Sequence, residues 1–115
     1  MHEHHAVDAL VKQVIEKAHL VKATKVSRVM IVMGELLGFD EGSVRLYFEQ
    51  LAEGTVAEGA ALSFKTAQAG LKCKSCQTSF LRDKENFSCP SCCSMQLVIT
   101  SGKEFYVDAI DVESP

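Results

Sequence analysis

Between residues 4 and 20, apolar side chains fall at Val7, Leu10, Val11, Val14, Ile15 and Ala18, with Lys12, Gln13, Glu16 and Lys17 facing away. Steps of three and four residues put the apolar set on one helical face, so an amphipathic helix is expected there. Lys25–Met33 is β-branched and apolar on both alternations, with Val29, Ile31 and Met33 against Met30 and Val32. It reads as a strand covered on both faces. Asp40 or Ser43 can cap a second helix that runs to about Glu53 and stops at Gly54, burying Val44, Tyr47, Phe48 and Leu51. Leu62, Phe64 and Thr66 alternate as a further strand. Toward the end come Leu97–Thr100, a Ser101-Gly102 turn and a last strand over Phe105–Val112.

The order is α-β-α-β, then a cysteine-rich insert, then β-β. That order predicts the α+β class: a small three-stranded sheet with two helices, carrying an inserted ribbon. The expected boundaries are 1–69 with 102–115 for the discontinuous α+β domain, and 70–101 for the ribbon. A chain of 115 residues has room for one core plus such an appendage.

Composition narrows the function classes. The net charge is −3 and the twelve Lys and Arg are scattered among fifteen acids. Nucleic-acid binding ordinarily needs a basic footprint, so that partner is not expected. No apolar run approaches the roughly 20 residues that span a bilayer, so no membrane association is expected. The start, MHEHHAVDALVK, lacks the basic flank and apolar stretch of a secretory signal, which makes the cytoplasm the expected location. No Ser/His/Asp ordering, phosphate-cradling glycine loop or HExxH helix is found, and no enzyme is expected.

All five cysteines lie between positions 73 and 93. In a reducing compartment such a group reads as one metal site rather than as disulfides. Cys73-Lys-Ser-Cys76 and Cys89-Pro-Ser-Cys92 are two tight turns, each able to aim two thiolates at one ion, separated by twelve residues that can form a hairpin. Pro90 pre-sets one backbone angle of the second turn. Four thiolates close a tetrahedral site, leaving no position for substrate or water, so a structural Zn(2+) is expected; iron on the same four ligands is the rival. Cys93 cannot readily share the turn with Cys92 and reads as a free thiol or a group beside the site.

The other candidate chemistry is at Met1-His2-Glu3-His4-His5. Three readings fit it: a solvated chain end, a fragment of an affinity tag, or a metal site. In the last, the His2 imidazole sits beside the Met1 amine and the first main-chain amides, nitrogen donors suited to Ni(II) or Cu(II). The amine titrates near pH 8, so binding of this kind strengthens as pH rises. His4 and His5 can add donors or remain solvated in the first helical turn. Asp40 fits a helix cap better than a ligand, and His19 falls on a partly exposed polar face.

Met1-His2-Glu3 at the start, Met33-Gly-Glu-Leu36, Gly54-Thr-Val-Ala-Glu-Gly59 and the two cysteine pairs, at these separations, resemble the HypA/HybF nickel metallochaperones of hydrogenase maturation. The resemblance covers essentially the whole chain. It implies a nickel domain and a zinc ribbon, with transported Ni(2+) held by His2 and neighbouring main-chain nitrogens. Glu3 carries over to that N-terminal site, and Cys73, Cys76, Cys89 and Cys92 carry over as zinc ligands. Histidine at positions 4 and 5, and Cys93 where many relatives have histidine, depart from the family pattern. The implied function is a nickel carrier that delivers Ni(II) for maturation of [NiFe]-hydrogenase. The implied partners are a HypB-type GTPase and the hydrogenase large-subunit precursor. The alternative from another class is a zinc-ribbon adaptor for protein or nucleic-acid contacts.

Overall fold

In the computed structural model, residues 2–82 and 88–114 are described, with side chains from Glu3 onward. The elements in order are α1 (His2–Leu20), β1 (Lys25–Gly34), α2 (Glu41–Ala52), β2 (Ala61–Ala67), β3 (Gly70–Cys73), β4 (Ser79–Leu81), β5 (Leu97–Ser101) and β6 (Phe105–Glu113). They make two three-stranded sheets, ordered β2-β1-β6 and β4-β3-β5. The chain divides into two compact units. One comprises Met1–Val32, Gly38–Lys65 and Phe105–Pro115; the other comprises Met33–Leu37 and Thr66–Glu104.

The first unit is the α+β arrangement that the apolar pattern predicts. Helix α1 buries Val7, Leu10, Val11, Val14 and Ala18 and begins two residues earlier than the pattern required. Glu3 in its first turn and Lys17 and His19 in its last complement the helix dipole. Its end is a Schellman motif: the Ala23 amide donates to the Ala18 carbonyl at 2.9 Å and the Lys22 amide to the His19 carbonyl at 3.1 Å. Lys22 therefore sits at φ 57°, a conformation usually left to glycine.

Helix α2 packs on α1 through Val44, Phe48 and Ala52, all fully buried. Asp40, not Ser43, is its cap, with Asp40 Oδ2 accepting from the Ser43 amide at 3.0 Å and the Ser43 hydroxyl at 3.2 Å. Tyr47 and Leu51, expected in the buried stripe, are half-buried at its flank. The helix stops where Gly54 turns to φ 78°. The segment Gly54–Gly59 then folds on itself, with the Thr55 hydroxyl donating to the Ala52 carbonyl at 2.6 Å and accepting from the Ala57 amide at 3.1 Å. Ala57 is wholly buried under this turn, and the Val56 carbonyl accepts from the Val26 amide at 2.9 Å.

Strand β1 is central, which explains its nearly continuous apolar sequence. Val29 and Ile31 on one alternation and Val26 and Val32 on the other are buried, while Met30 and Met33 are only half-covered. Thr24 pairs with Glu113 and Ser27 with Asp111, so β1 and β6 run antiparallel.

The second unit is built on β3, which pairs antiparallel with β4 and with β5; Leu71 faces Phe80 on one side and Ile99 on the other. Strands β3 and β4 have no counterpart in the apolar pattern. They are four and three residues long, too short for an alternation to register. Of the twelve residues expected as a hairpin between the cysteine pairs, Ser79–Leu81 fold back onto β3, and 83–87 lie outside the described residues. Met33–Leu37 joins this unit through main-chain bonds. The Gly34 amide donates to Glu104, the Glu35 amide to Ala67 and the Leu36 amide to Gly102, at 2.6, 2.8 and 2.8 Å. A side chain at Gly34 would overlap the Gly102 carbonyl. The Glu35 carboxylate accepts from the Ala69 amide at 3.3 Å and lies 3.6 Å from the Arg82 guanidinium.

Candidate metal centre and N-terminal site

The two cysteine turns are near-repeats in space as well as in sequence. In the first, the Cys73 amide donates to the Thr78 carbonyl at 2.9 Å and the Gln77 amide to the Cys73 carbonyl at 3.0 Å. In the second, the Cys89 amide donates to the Ser94 carbonyl and the Cys93 amide to the Cys89 carbonyl, both at 2.8 Å. The residue after each second cysteine carries the reversal of the chain, Gln77 at φ 64° and Cys93 at φ 61°. The Ser75 and Ser94 hydroxyls join the two turns at 3.2 Å, and the Lys74 amide donates to the Gln96 carbonyl at 2.9 Å.

This pairing of turns brings together Cys73, Cys76, Cys89 and Cys92, whose sulfurs all lie within 4.8 Å of one another. Cys73 Sγ is 3.5 Å from Cys92 Sγ, and Cys76 Sγ is 3.4 Å from Cys89 Sγ. A disulfide requires about 2.0 Å, whereas four sulfurs about 2.3 Å from one tetrahedral ion are spaced by about 3.8 Å. The donor set therefore fits a four-coordinate thiophilic metal, and the four thiols that the spacing singled out are the four that converge. Cys73 and Cys89 are buried while Cys76 and Cys92 face solvent. Cys93 is exposed and outside the convergent set, in agreement with a free thiol.

Polar neighbours prepare the thiols for metal. The Thr78 hydroxyl, 3.1 Å from Cys76 Sγ, together with the Thr78 amide and the Cys89 thiol, lowers the Cys76 pKa from 9.0 to about 6. Cys73 is lowered too, chiefly by the Cys76 amide, with a smaller contribution from the Ser75 amide. At Cys92 the Ser94 amide also pulls downward, but the neighbouring thiols of Cys73 and Cys76 and burial win, pushing the group up to about 12. The physical reason is crowding: negative charge on Cys92 is disfavoured beside the Cys73 and Cys76 sulfurs, and a bound cation would relieve this.

At the other candidate site, Met1 and the side chain of His2 lie outside the described residues. The backbone from His2 onward is helical, so the first amides have no acceptor within the helix. Glu3 Oε1 is buried and has no hydrogen-bond partner among the described residues. His4 and His5 are exposed, and the His4 ring stands edge-on to Tyr47 at 5.2 Å. Asp40 is engaged as the cap of α2. His19 is exposed near the end of α1 beside Lys12, Ile15, Glu16 and Leu20. Tyr47 is the residue at this end of the molecule that sequence reasoning placed only in the core. Its contact with His4 depends on the packing of two helices, which periodicity alone does not orient.

Comparison with known proteins gives a consistent outcome. A family model described as hydrogenase/urease nickel incorporation, metallochaperone, HypA, matches residues 1–112. The hydrogenase maturation factor HypA of Caldanaerobacter subterraneus subsp. tengcongensis is 44% identical over 114 residues, covering 98% of this chain and all of that one. The factor of the same name from Dehalococcoides mccartyi is 35% identical over 113 residues, covering 98% of this chain and 95% of that one. The solution structure of the Ni metallochaperone HypA from Helicobacter pylori superposes with a TM-score of 0.76 at 26% identity, over 98% of each chain. With a full-length family match, near-complete relatives and the same fold, the chain belongs to the HypA family of nickel metallochaperones for hydrogenase maturation.

Proposed function

We propose that this chain binds Ni(II) at its N-terminus as cargo and delivers it to a [NiFe]-hydrogenase large-subunit precursor, acting with a HypB-type GTPase in the cytoplasm and catalysing no reaction itself. The nickel donors are the His2 imidazole, Glu3, the Met1 amine and adjoining main-chain nitrogens. The observation that carries the reading is the buried Glu3 Oε1, unpartnered among the described residues, in a segment that lies within the family match. A carboxylate oxygen shut away from water without a donor is costly, and a cation relieves it. The N-terminus of a helix repels cations through its dipole. Anionic donors, from Glu3 and from an amide that has given up its proton, offset that repulsion and make binding stronger at higher pH.

Cys73, Cys76, Cys89 and Cys92 would hold zinc in a ribbon domain, the α+β domain acting as the nickel domain. Bound zinc supplies a fixed crosslink between the two cysteine turns. Thr78 and the turn amides favour the thiolate forms of Cys76 and Cys73. The domain boundaries proposed for the two roles remain 1–69 with 102–115, and 70–101. Calorimetric nickel titration of zinc-loaded protein tests the reading. The expectation is one nickel for the wild type and none for His2→Ala, with zinc content unchanged. Equal nickel binding by both would defeat it.

A further inference from the structure

His4 continues a stripe on α1. From His4, steps of three and four lead to Val7, Val11, Val14 and Ala18, every one of which is buried. Position 4 thus belongs to the core-facing side of the helix, displaced to its open end. Its ring there meets Tyr47 of α2, with centroids 5.2 Å apart and planes at 82°. This is the edge-to-face geometry that aromatic quadrupoles favour. Tyr47 is half-buried and sits next to Phe48 and three residues after Val44, both of them fully buried. It is therefore held by packed neighbours and offers a fixed surface. His5 lies one step, about 100°, further round the helix and is exposed; its own contact with His4, at 6.2 Å, follows from adjacency in the chain.

We propose that His4 is a positioning residue, not a nickel ligand: its ring, seated against Tyr47, fastens the first turn of α1 to α2 and so fixes the donors of residues 1–3. The inference rests on the N-terminal nickel reading above. An imidazole that donates to nickel must turn a ring nitrogen toward the ion. One paired edge-to-face with Tyr47 contributes through its shape, and another aromatic ring can do the same. Such a tie matters there, since an isolated helix end frays and its opening amides lack intrahelical acceptors.

The test is a set of nickel titrations on zinc-loaded protein, combined with amide hydrogen exchange on metal-free N-termini. His4→Phe and Tyr47→Phe should keep wild-type nickel affinity. His4→Ala and Tyr47→Ala should each weaken it about three- to tenfold, the range an aromatic pair supports. The double alanine variant should be no weaker than either single one, because both remove the same contact. In the alanine variants, the amides of residues 6–9 should exchange faster, since their helical acceptors are the carbonyls of residues 2–5. Loss of nickel in His4→Phe with normal binding in Tyr47→Ala would make His4 a ligand and overturn the proposal. Unchanged exchange in both alanine variants would also overturn it. A wild type that takes no nickel defeats the carrier reading instead, and the exchange comparison still decides the contact between His4 and Tyr47.

Discussion

Cys93 and Gln77 hold the same place in two repeated turns, and both are exposed. The position demands a positive φ and sends the side chain outward, whatever its chemistry. Cys93→Gly should therefore keep one equivalent of metal, whereas Cys92→Ala should lose it; metal analysis after dialysis separates the two. Lys22 is a second residue whose constraint was invisible in the sequence, because a Schellman end usually announces itself with glycine. Replacing it, Lys22→Gly, should raise stability by about 1 kcal/mol, measured by denaturant unfolding. The Thr78 hydroxyl matters through protonation. Removing it in Thr78→Val should move the Cys76 thiol from about 6 back toward 9.0. A proton then competes with metal at pH 7, so zinc affinity should fall about tenfold there, with the deficit shrinking as pH rises past 9. A deficit that is constant from pH 6 to 10 would show that Thr78 acts by packing alone.

Long elements were legible and short ones were not. Helix α1 repeats its apolar spacing through several turns, and β1 is an unbroken apolar run because it is central in its sheet. Helix α2 announced both ends, with Asp40 and Gly54 each in the role its chemistry suggests. Strands β3 and β4 show no pattern, since their pairing is imposed by the cysteine turn between them rather than by apolar alternation. Met33-Gly-Glu-Leu36 was recognisable only as a motif, and its physical content appears in the fold. Gly34 leaves room for the Gly102 carbonyl, and Glu35 accepts from the Ala69 amide. Gly34→Ala should therefore destabilise the second unit by about 1–3 kcal/mol, the usual cost of overfilling a packed site. Chemical shifts in residues 102–104, which the added Cβ would meet, should move most. Unperturbed shifts there would contradict the assignment of this strand end to that unit.

For the molecule as a whole, the two units give two separable stabilities. The first has its own core from Val7 to Val107, while the second buries little beyond Ala69, Leu71, Cys73 and Cys89 among its described apolar residues. A unit with so small a core depends on its metal, and structural zinc contributes about 10–16 kcal/mol in small peptides. Cys73→Ala or a strong chelator should unfold the second unit and leave the helical circular dichroism of the first largely intact. The four cysteines that converge were legible because two close pairs leave little choice. The N-terminal donors proposed above rest on resemblance, as three histidines within residues 2–5 have several physical explanations. The central claim, nickel held by the Met1 amine together with His2, is tested most directly by blocking that amine. A few residues added before Met1 leave the core and the cysteines untouched but remove the terminal amine from its place beside His2. Calorimetric titration at pH 7.5 of this extended, zinc-loaded protein should show no stoichiometric nickel binding, with zinc content and far-ultraviolet circular dichroism as in the wild type. One nickel bound with unchanged affinity would contradict ligation by the amine.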